Sequence, residues 1–202
     1  MHRIPSLIQK TFPNHTWSIP SDMKKIYITF DDGPTPGVTD FVLKTLKEYV
    51  SQATFFCLGQ QVEKCPSLVT QIFHDNHLIA NHGYAHLDGW KISKVDYENN
   101  LSRGEEVLNK LIERSERLFR PPYGHFRTNK PTVLWSLMSG DFDGKLSKEK
   151  CLSNLISKMR SGDIIVFHDN LKSIEKLQWV LPRFLNHCKE EGFGFDIIPF
   201  AT

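Results

Sequence analysis

The chain reads as an α/β protein, a parallel sheet closed or nearly closed into a barrel of about seven strands alternating with helices. Three observations predict this. Short apolar runs rich in β-branched and aromatic residues alternate with segments whose apolar residues recur at helical spacing. No internal repeat, low-complexity tract or composition break interrupts that series. Residues able to do chemistry follow the apolar runs, on the strand ends that share one face of a parallel barrel. The 202 residues suffice for one domain with a sizeable core, assigned to 25–202 behind an irregular arm over 1–24.

The arm carries Pro5, Pro13 and Pro20 with Phe12 and Trp17 between them, and is expected to lie over one end of the domain. The first strand, Ile26-Tyr27-Ile28-Thr29-Phe30, runs into Asp31-Asp32-Gly33-Pro34, where Gly-Pro ends it. Thr39 is placed to cap a helix with the stripe Val42, Leu43, Leu46, Tyr49 and Val50. The nearly continuous apolar run 53–58 suits a strand buried on both faces, closed by Gly59. A helix after Pro66 turns Leu68, Val69, Ile72 and Phe73 inward. Leu78-Ile79-Ala80 delivers the chain into Asn81-His82-Gly83-Tyr84-Ala85-His86.

The longest helix is expected over 95–113, with Tyr97, Leu101, Leu108, Leu111 and Ile112 on one stripe. Gly104 on that stripe marks a close approach by another element. Leu118-Phe119-Arg120 reads as a fourth strand entering Pro121-Pro122-Tyr123-Gly124, and 133–137 as a fifth ending near Asp141-Phe142-Asp143-Gly144. A helix over 148–160 buries Leu152, Leu155, Ile156 and Met159, and Ile164-Ile165-Val166-Phe167 forms a sixth strand before His168-Asp169. A helix over 174–190 with Pro182 inside and Gly192 beyond precedes a last strand over 195–198.

Composition narrows the partners. A hydrophobic share of 40%, a charged share of 24% and a net charge of +2 give no argument for a nucleic-acid or membrane partner. No basic stripe interleaves with aromatics, and no run nears the roughly 20 apolar residues of a membrane helix. Met1-His2-Arg3-Ile4-Pro5 lacks the apolar core of a secretion signal, so the expected place is cytoplasmic, or the cell envelope by another processing or export route. Cys57, Cys65, Cys151 and Cys188 form no Cys-x-x-Cys pair and read as small core residues; a Cys57–Cys65 disulfide stays open.

The chemistry-bearing residues make a set. Asp-Asp-Gly also suits an Asx-type turn, but a metal ligand beside a proton acceptor is the alternative that the other strand ends favour. His82 and His86 have the spacing of metal-binding pairs, and Asp32 adds a hard oxygen to two imidazoles. Three protein ligands leave positions for water and substrate, the mark of a catalytic site. Arg120 is either a surface arginine before a turn or the partner that orients Asp31 and lowers its pKa. His168 is either a satisfied core histidine or, beside Asp141 or Asp143, an acid held protonated.

These segments carry a resemblance to the NodB-homology polysaccharide deacetylases, the fourth carbohydrate esterase family. Thr29-Phe30-Asp31-Asp32-Gly33-Pro34 looks like its first signature, His82 to His86 its second and Arg120-Pro121-Pro122-Tyr123-Gly124 its third. Asp141-Phe142 stands in place of the fourth, and Ile165-Val166-Phe167-His168-Asp169 of the fifth, all in family order across roughly 25–200. The resemblance implies a distorted (β/α) barrel of NodB-homology type, with 25–202 as the deacetylase domain, and metal-assisted removal of acetyl from N- or O-acetylated glycans. It implies one divalent metal, zinc before cobalt or nickel, on Asp32, His82 and His86. Asp31 becomes the base that activates water, Arg120 its orienting partner, and Asp141 the group that tunes His168 as the acid. The Tyr123 backbone N–H would stabilise the oxyanion, and Phe142 and Val166 would wall the acetyl-methyl pocket.

Two positions depart from the family pattern. Gly83 stands where Ser or Thr is usual, which predicts a looser loop, and Phe142 replaces Trp, which predicts a wider pocket. The expected function is a metal-dependent N-deacetylase acting as a monomer on an N-acetylglucosamine-containing glycan, such as peptidoglycan or a chitin-type oligosaccharide. The runners-up are an O-acetyl esterase on acetylated xylan and a small-molecule amide hydrolase. A glycan-binding module without activity would be expected to have lost Asp31 or His168, and both are present.

Overall fold

The computed structural model describes residues 3–128 and 131–200. Its first half runs α1 (Ser6–Thr11), β1 (Lys25–Asp31), α2 (Val38–Glu48), β2 (Ala53–Cys57), α3 (Gly59–Lys64), α4 (Pro66–His74), β3 (Leu78–Asn81) and α5 (Lys94–Asn109). A short 3-10 turn (Pro122–Gly124) leads to β4 (Leu137–Met138), α6 (Lys148–Lys158), β5 (Ile164–His168), α7 (Ile174–Glu190) and β6 (Gly194–Phe195). The sheet order is β3-β2-β1-β5-β4, with β6 on β1, and every ladder is parallel. Among the described residues no helix is long and apolar enough to cross a membrane.

The alternation of β1 sorts its residues. Ile26, Ile28 and Phe30 pack outward in one cluster with Val42, Leu46, Leu181 and Phe184 of α2 and α7. Tyr27 belongs to a second cluster with Phe56, Ala80, Ile164 and Ile198, so Thr29 and Asp31 share that inner face. Register does the rest. Asp31 is level with His168 on β5, and Cys57 with Asn81 on β3, so the functional residues leave the sheet at one height.

Among the described residues the sheet holds six strands, against the about seven expected. The expected strand at 118–120 is a single parallel bridge, Asn81↔Phe119, continued by Val133 N–H to Phe119 O at 2.8 Å. Pro121, Pro122 and Pro131 lack the N–H a ladder needs. The Val133 and Leu134 carbonyls accept instead from the Arg120 guanidinium, at 3.2 and 2.9 Å. The fifth strand is therefore confined to Leu137–Met138. At the C-terminus the strand is only Gly194–Phe195, because Ile197 N–H bonds Asp196 Oδ1 and Ile198 N–H bonds Thr54 Oγ1.

Other expectations also need correction. The arm contains α1 and is tied down by bridges at Arg3, Thr16 and Ser18. Gly37, not Thr39, precedes α2, and its N–H bonds Asp40 Oδ2 at 2.6 Å, while Thr39 is buried. Val50, Phe73 and Leu111 are exposed, since α2 and α5 end before the first and last of them and Phe73 lies on the outer side of α4. The sequence stripes did not reveal α3, whose buried apolar content is Val62. All four cysteines are free thiols.

Candidate active site

Asp32, His82 and His86 offer ligand atoms within 4.8 Å of one another, a group that could hold a metal ion. Asp32 Oδ1 lies 3.6 Å from His82 Nε2 and 3.4 Å from His86 Nε2. Those separations are long for hydrogen bonds and suit donors sharing a central cation. His82 Nδ1 lies 2.8 Å from the Arg120 carbonyl, so Nδ1 carries the hydrogen and Nε2 presents its lone pair to Asp32. Asp32 Oδ2 accepts from Asn170 Nδ2 at 2.7 Å, whereas Oδ1 is buried without a hydrogen-bond partner. A buried carboxylate oxygen left without a hydrogen bond between two imidazole nitrogens is costly unless a cation belongs there. Burial opposes the charge of Asp32, yet His82, His168, His86 and the Asn170 bond together lower its pKa. Burial and then His82 lower the pKa of His86, favouring the neutral ligand form.

Backbone strain collects here. Asp32 (φ 82°) and Tyr123 (φ 60°) are non-glycine residues in the left-handed region, each costing about 1 kcal/mol or more, as at functional turns generally. At Asp32 the strain is held by Asp169. Its Oδ1 accepts the Gly33 N–H at 2.9 Å and its Oδ2 accepts from Thr39 Oγ1 at 2.6 Å. A Cβ on Gly33 would stand 2.0 Å from Asp169 Oδ2, so only glycine fits. Burial pushes the Asp169 carboxyl up to about 8, against the Thr39 bond.

Arg120 is fully buried and donates to Asp31 Oδ1 at 2.6 Å and to Thr29 Oγ1 at 2.8 Å from the same Nη1. At the end of the neighbouring strand β5, His168 Nδ1 lies 2.8 Å from Asp141 Oδ1, and Asp141 Oδ2 accepts the His168 backbone N–H at 2.7 Å. Ser139 donates to the same Asp141 Oδ1 at 2.9 Å. Burial alone would discharge His168, but Asp141, then Asp31 and Asp32, raise its pKa to about 9. Asp141 thereby takes the partnership that sequence left open between it and Asp143. Phe142 sets its ring edge-to-face on His168 at 4.9 Å, and Tyr123 does the same on His86 at 4.4 Å. Both rings are partly exposed, while Val166 is buried two residues before His168 on the same face.

The loop at Gly83 is not loosened by its missing hydroxyl. Gly83 has φ 83°, and a Cβ would stand 2.5 Å from Asn100 Nδ2. Its N–H bonds Asn81 Oδ1 at 2.7 Å, its carbonyl accepts from Gly59 at 2.9 Å, and Asn100 brackets Ala85 from both sides. Gly104 on α5 lies against Gly83, the close approach its position announced. Sequence reasoning gave no role to Asn170, Asp169, Thr29, Ser139 or Asn100. Asn170 and Asp169 directly follow His168, and that continuation of polar residues past a strand end was the available signal.

Three comparisons bear on what such a cluster does. A family model described as polysaccharide deacetylase matches residues 18–137. A peptidoglycan-N-acetylglucosamine deacetylase of Bacillus cereus is 35% identical, over 89% of this chain and 89% of its own length. A chitooligosaccharide deacetylase of Azorhizobium caulinodans is 32% identical over 80% of this chain and 81% of its own. Among solved structures, a peptidoglycan N-acetylglucosamine deacetylase in complex with an N-oxidanyl-benzamide superposes with a TM-score of 0.88. That pair shares 28% identity and covers 97% of this chain and 95% of the other.

Proposed function

The chain belongs to the polysaccharide deacetylase family, and on that premise we propose that it hydrolyses the N-acetyl groups of an N-acetylglucosamine-containing glycan. The observation that carries the reading is the bare, buried Asp32 Oδ1 between two imidazoles, with Asp31 and His168 at the same height on neighbouring strands. Asp32, His82 and His86 would hold one divalent cation, and two imidazoles with a carboxylate suit zinc, or cobalt or nickel. Bound there, such an ion supplies Lewis acidity, polarising the acetyl carbonyl and making water a stronger nucleophile.

The chain's own residues do the remaining work. Asp31, aimed by Arg120, takes a proton from the attacking water. The backbone N–H of Tyr123 is offered to the oxygen that becomes negative as the carbonyl carbon turns tetrahedral. His168, fixed through Nδ1 by Asp141, presents Nε2 as the acid that protonates the departing amine. One water is consumed, the C–N bond breaks, and acetate and a free amine leave. Phe142 and Val166 are proposed to enclose the acetyl methyl.

Acetate release tests this directly. N-acetylglucosamine oligomers should be deacetylated, and a chelator should abolish the activity while the far-ultraviolet circular dichroism holds. Release from acetylated xylan alone would favour the esterase. Activity indifferent to chelation, or metal content undiminished in His82→Ala, would overturn the metal assignment.

A further inference from the structure

We propose that Trp90, with His125 beneath it, is a stacking platform for a second sugar ring of the glycan, adjoining the residue that is deacetylated. The inference rests on the glycan reading above. Trp90 is 62% exposed, an expensive way to keep a large aromatic unless its surface is used. It is not a loose side chain. Its ring lies on the His125 ring at 3.6 Å and 5°, which covers one face and leaves the other to solvent.

The pair is clamped from below. Asp88 Oδ1 lies 2.6 Å from His125 Nδ1 and accepts the Trp90 backbone N–H at 3.0 Å, while Oδ2 pairs with Lys91 at 3.3 Å. Between them Gly89 lets the loop settle on the His125 carbonyl, where a Cβ would stand at 2.2 Å. One carboxylate thus fixes the height and tilt of both rings before any ligand arrives, which removes much of the ordering cost of binding.

The platform is continuous with the site. His86 carries Tyr123 on its edge at 4.4 Å, and Tyr123 in turn reaches His125 at 5.8 Å, with Trp90 beyond. A row of partly exposed aromatic rings leads outward from the metal-ligating histidine. The occupant that fits is a neutral pyranose. Its axial C–H face suits a flat, electron-rich ring, and its equatorial hydroxyls remain in water at the rim. A chain of sugars crossing the cleft would place its next unit there, so the enzyme should favour oligomers over single sugars.

The test compares substrates within each variant of the full chain. For Trp90→Ala, the ratio of kcat/KM on an N-acetylglucosamine tetramer to kcat/KM on a small activated acetyl ester should fall roughly two- to tenfold, through KM. Trp90→Phe should recover most of that loss. Calorimetric titration of the tetramer into chelator-treated protein should show the same weakening without turnover. An unchanged ratio together with unchanged tetramer affinity in Trp90→Ala would overturn the platform. A wild type that releases no acetate from any glycan would instead overturn the function, and the titration would still decide whether Trp90 holds a sugar chain.

Discussion

Two arginine–aspartate pairs stand at opposite ends of the parallel sheet, one just before β5 and one where β1 ends, and they are built in opposite ways. Before β5, Asp163 accepts from Arg3 on both oxygens at 2.7 Å, from Ser136 Oγ at 2.7 Å and from Arg160 N–H at 2.7 Å. Its lone pairs are spent. Burial still raises its pKa, with those donors pulling the other way. At the far end the spent partner is the arginine. Arg120 gives its N–H groups to Thr29, Val133, Leu134 and Asp31, while the Asp31 carboxylate accepts, among the described residues, only that bond, on Oδ1. A closed carboxylate can only hold the chain together, here the N-terminal arm against the sheet. A carboxylate held by one side and open on the other can still accept a proton.

Substitutions at the two ends should therefore fail in different measurements. The largest effect is expected from Asp31→Asn, which should lower acetate release by about 10²–10⁴ with the fold intact by circular dichroism. A rate within a few-fold of wild type would erase the distinction between the ends. His168→Ala should lose a comparable factor on an N-acetyl amide and far less on an activated ester, whose leaving group needs no proton. Equal losses on both substrates would remove His168 as the acid.

Arg3→Ala should leave kcat/KM per folded molecule unaltered while costing on the order of 3 kcal/mol in denaturant unfolding, because Asp163 stays buried without its counter-charge. A negligible loss would show the arm pair to be as dispensable as a surface bridge. The pH dependence sharpens the contrast. His168 is raised from 6.5 to about 9, so its acid form persists through neutrality. Activity on amides should fall as pH passes about 9, a limb absent in His168→Ala. The stability that this histidine contributes should be complete below about pH 6.5 and fade as pH rises through about 9. The smallest effects come from two hydroxyls. Ser136→Ala should cost about 1 kcal/mol of stability and no activity, whereas Thr29→Val, which removes a hydroxyl from Arg120, should cost a similar amount and also slow turnover. Matched activities for both variants would remove Thr29 from the support of Asp31.

Much of this was legible in the chain. β1, β2 and β5 are short β-branched or aromatic runs and β3 a short apolar one, and local composition alone marks their positions. Placement after strand ends also singled out Asp31, Asp32, His82, His86, Arg120, Asp141 and His168, and the structure brings these residues to one end of the sheet. What was illegible lay where side chains compete with the backbone. The segment at 118–120 reads as a strand, but Arg120 takes the carbonyls of 133–134 that a ladder would have used. Asn170 and Asp169 read as a polar turn until their bonds to Asp32 and Gly33 are seen.

The sequence by itself determined the alternation of strands and helices, the family, and which side chains leave the strands at the cleft. The alternation and the facing follow from the period of two in a strand and 3.6 in a helix, which are local properties, and the family from the resemblance of five short motifs in order. The tertiary structure decided which partners those side chains keep. It placed Asp141 rather than Asp143 on His168, left one oxygen of Asp32 bare, and set Trp90 flat on His125 with its outer face to solvent. Each depends on contacts between residues far apart in the chain, whose distances are fixed only when strand register and loop closure are fixed together.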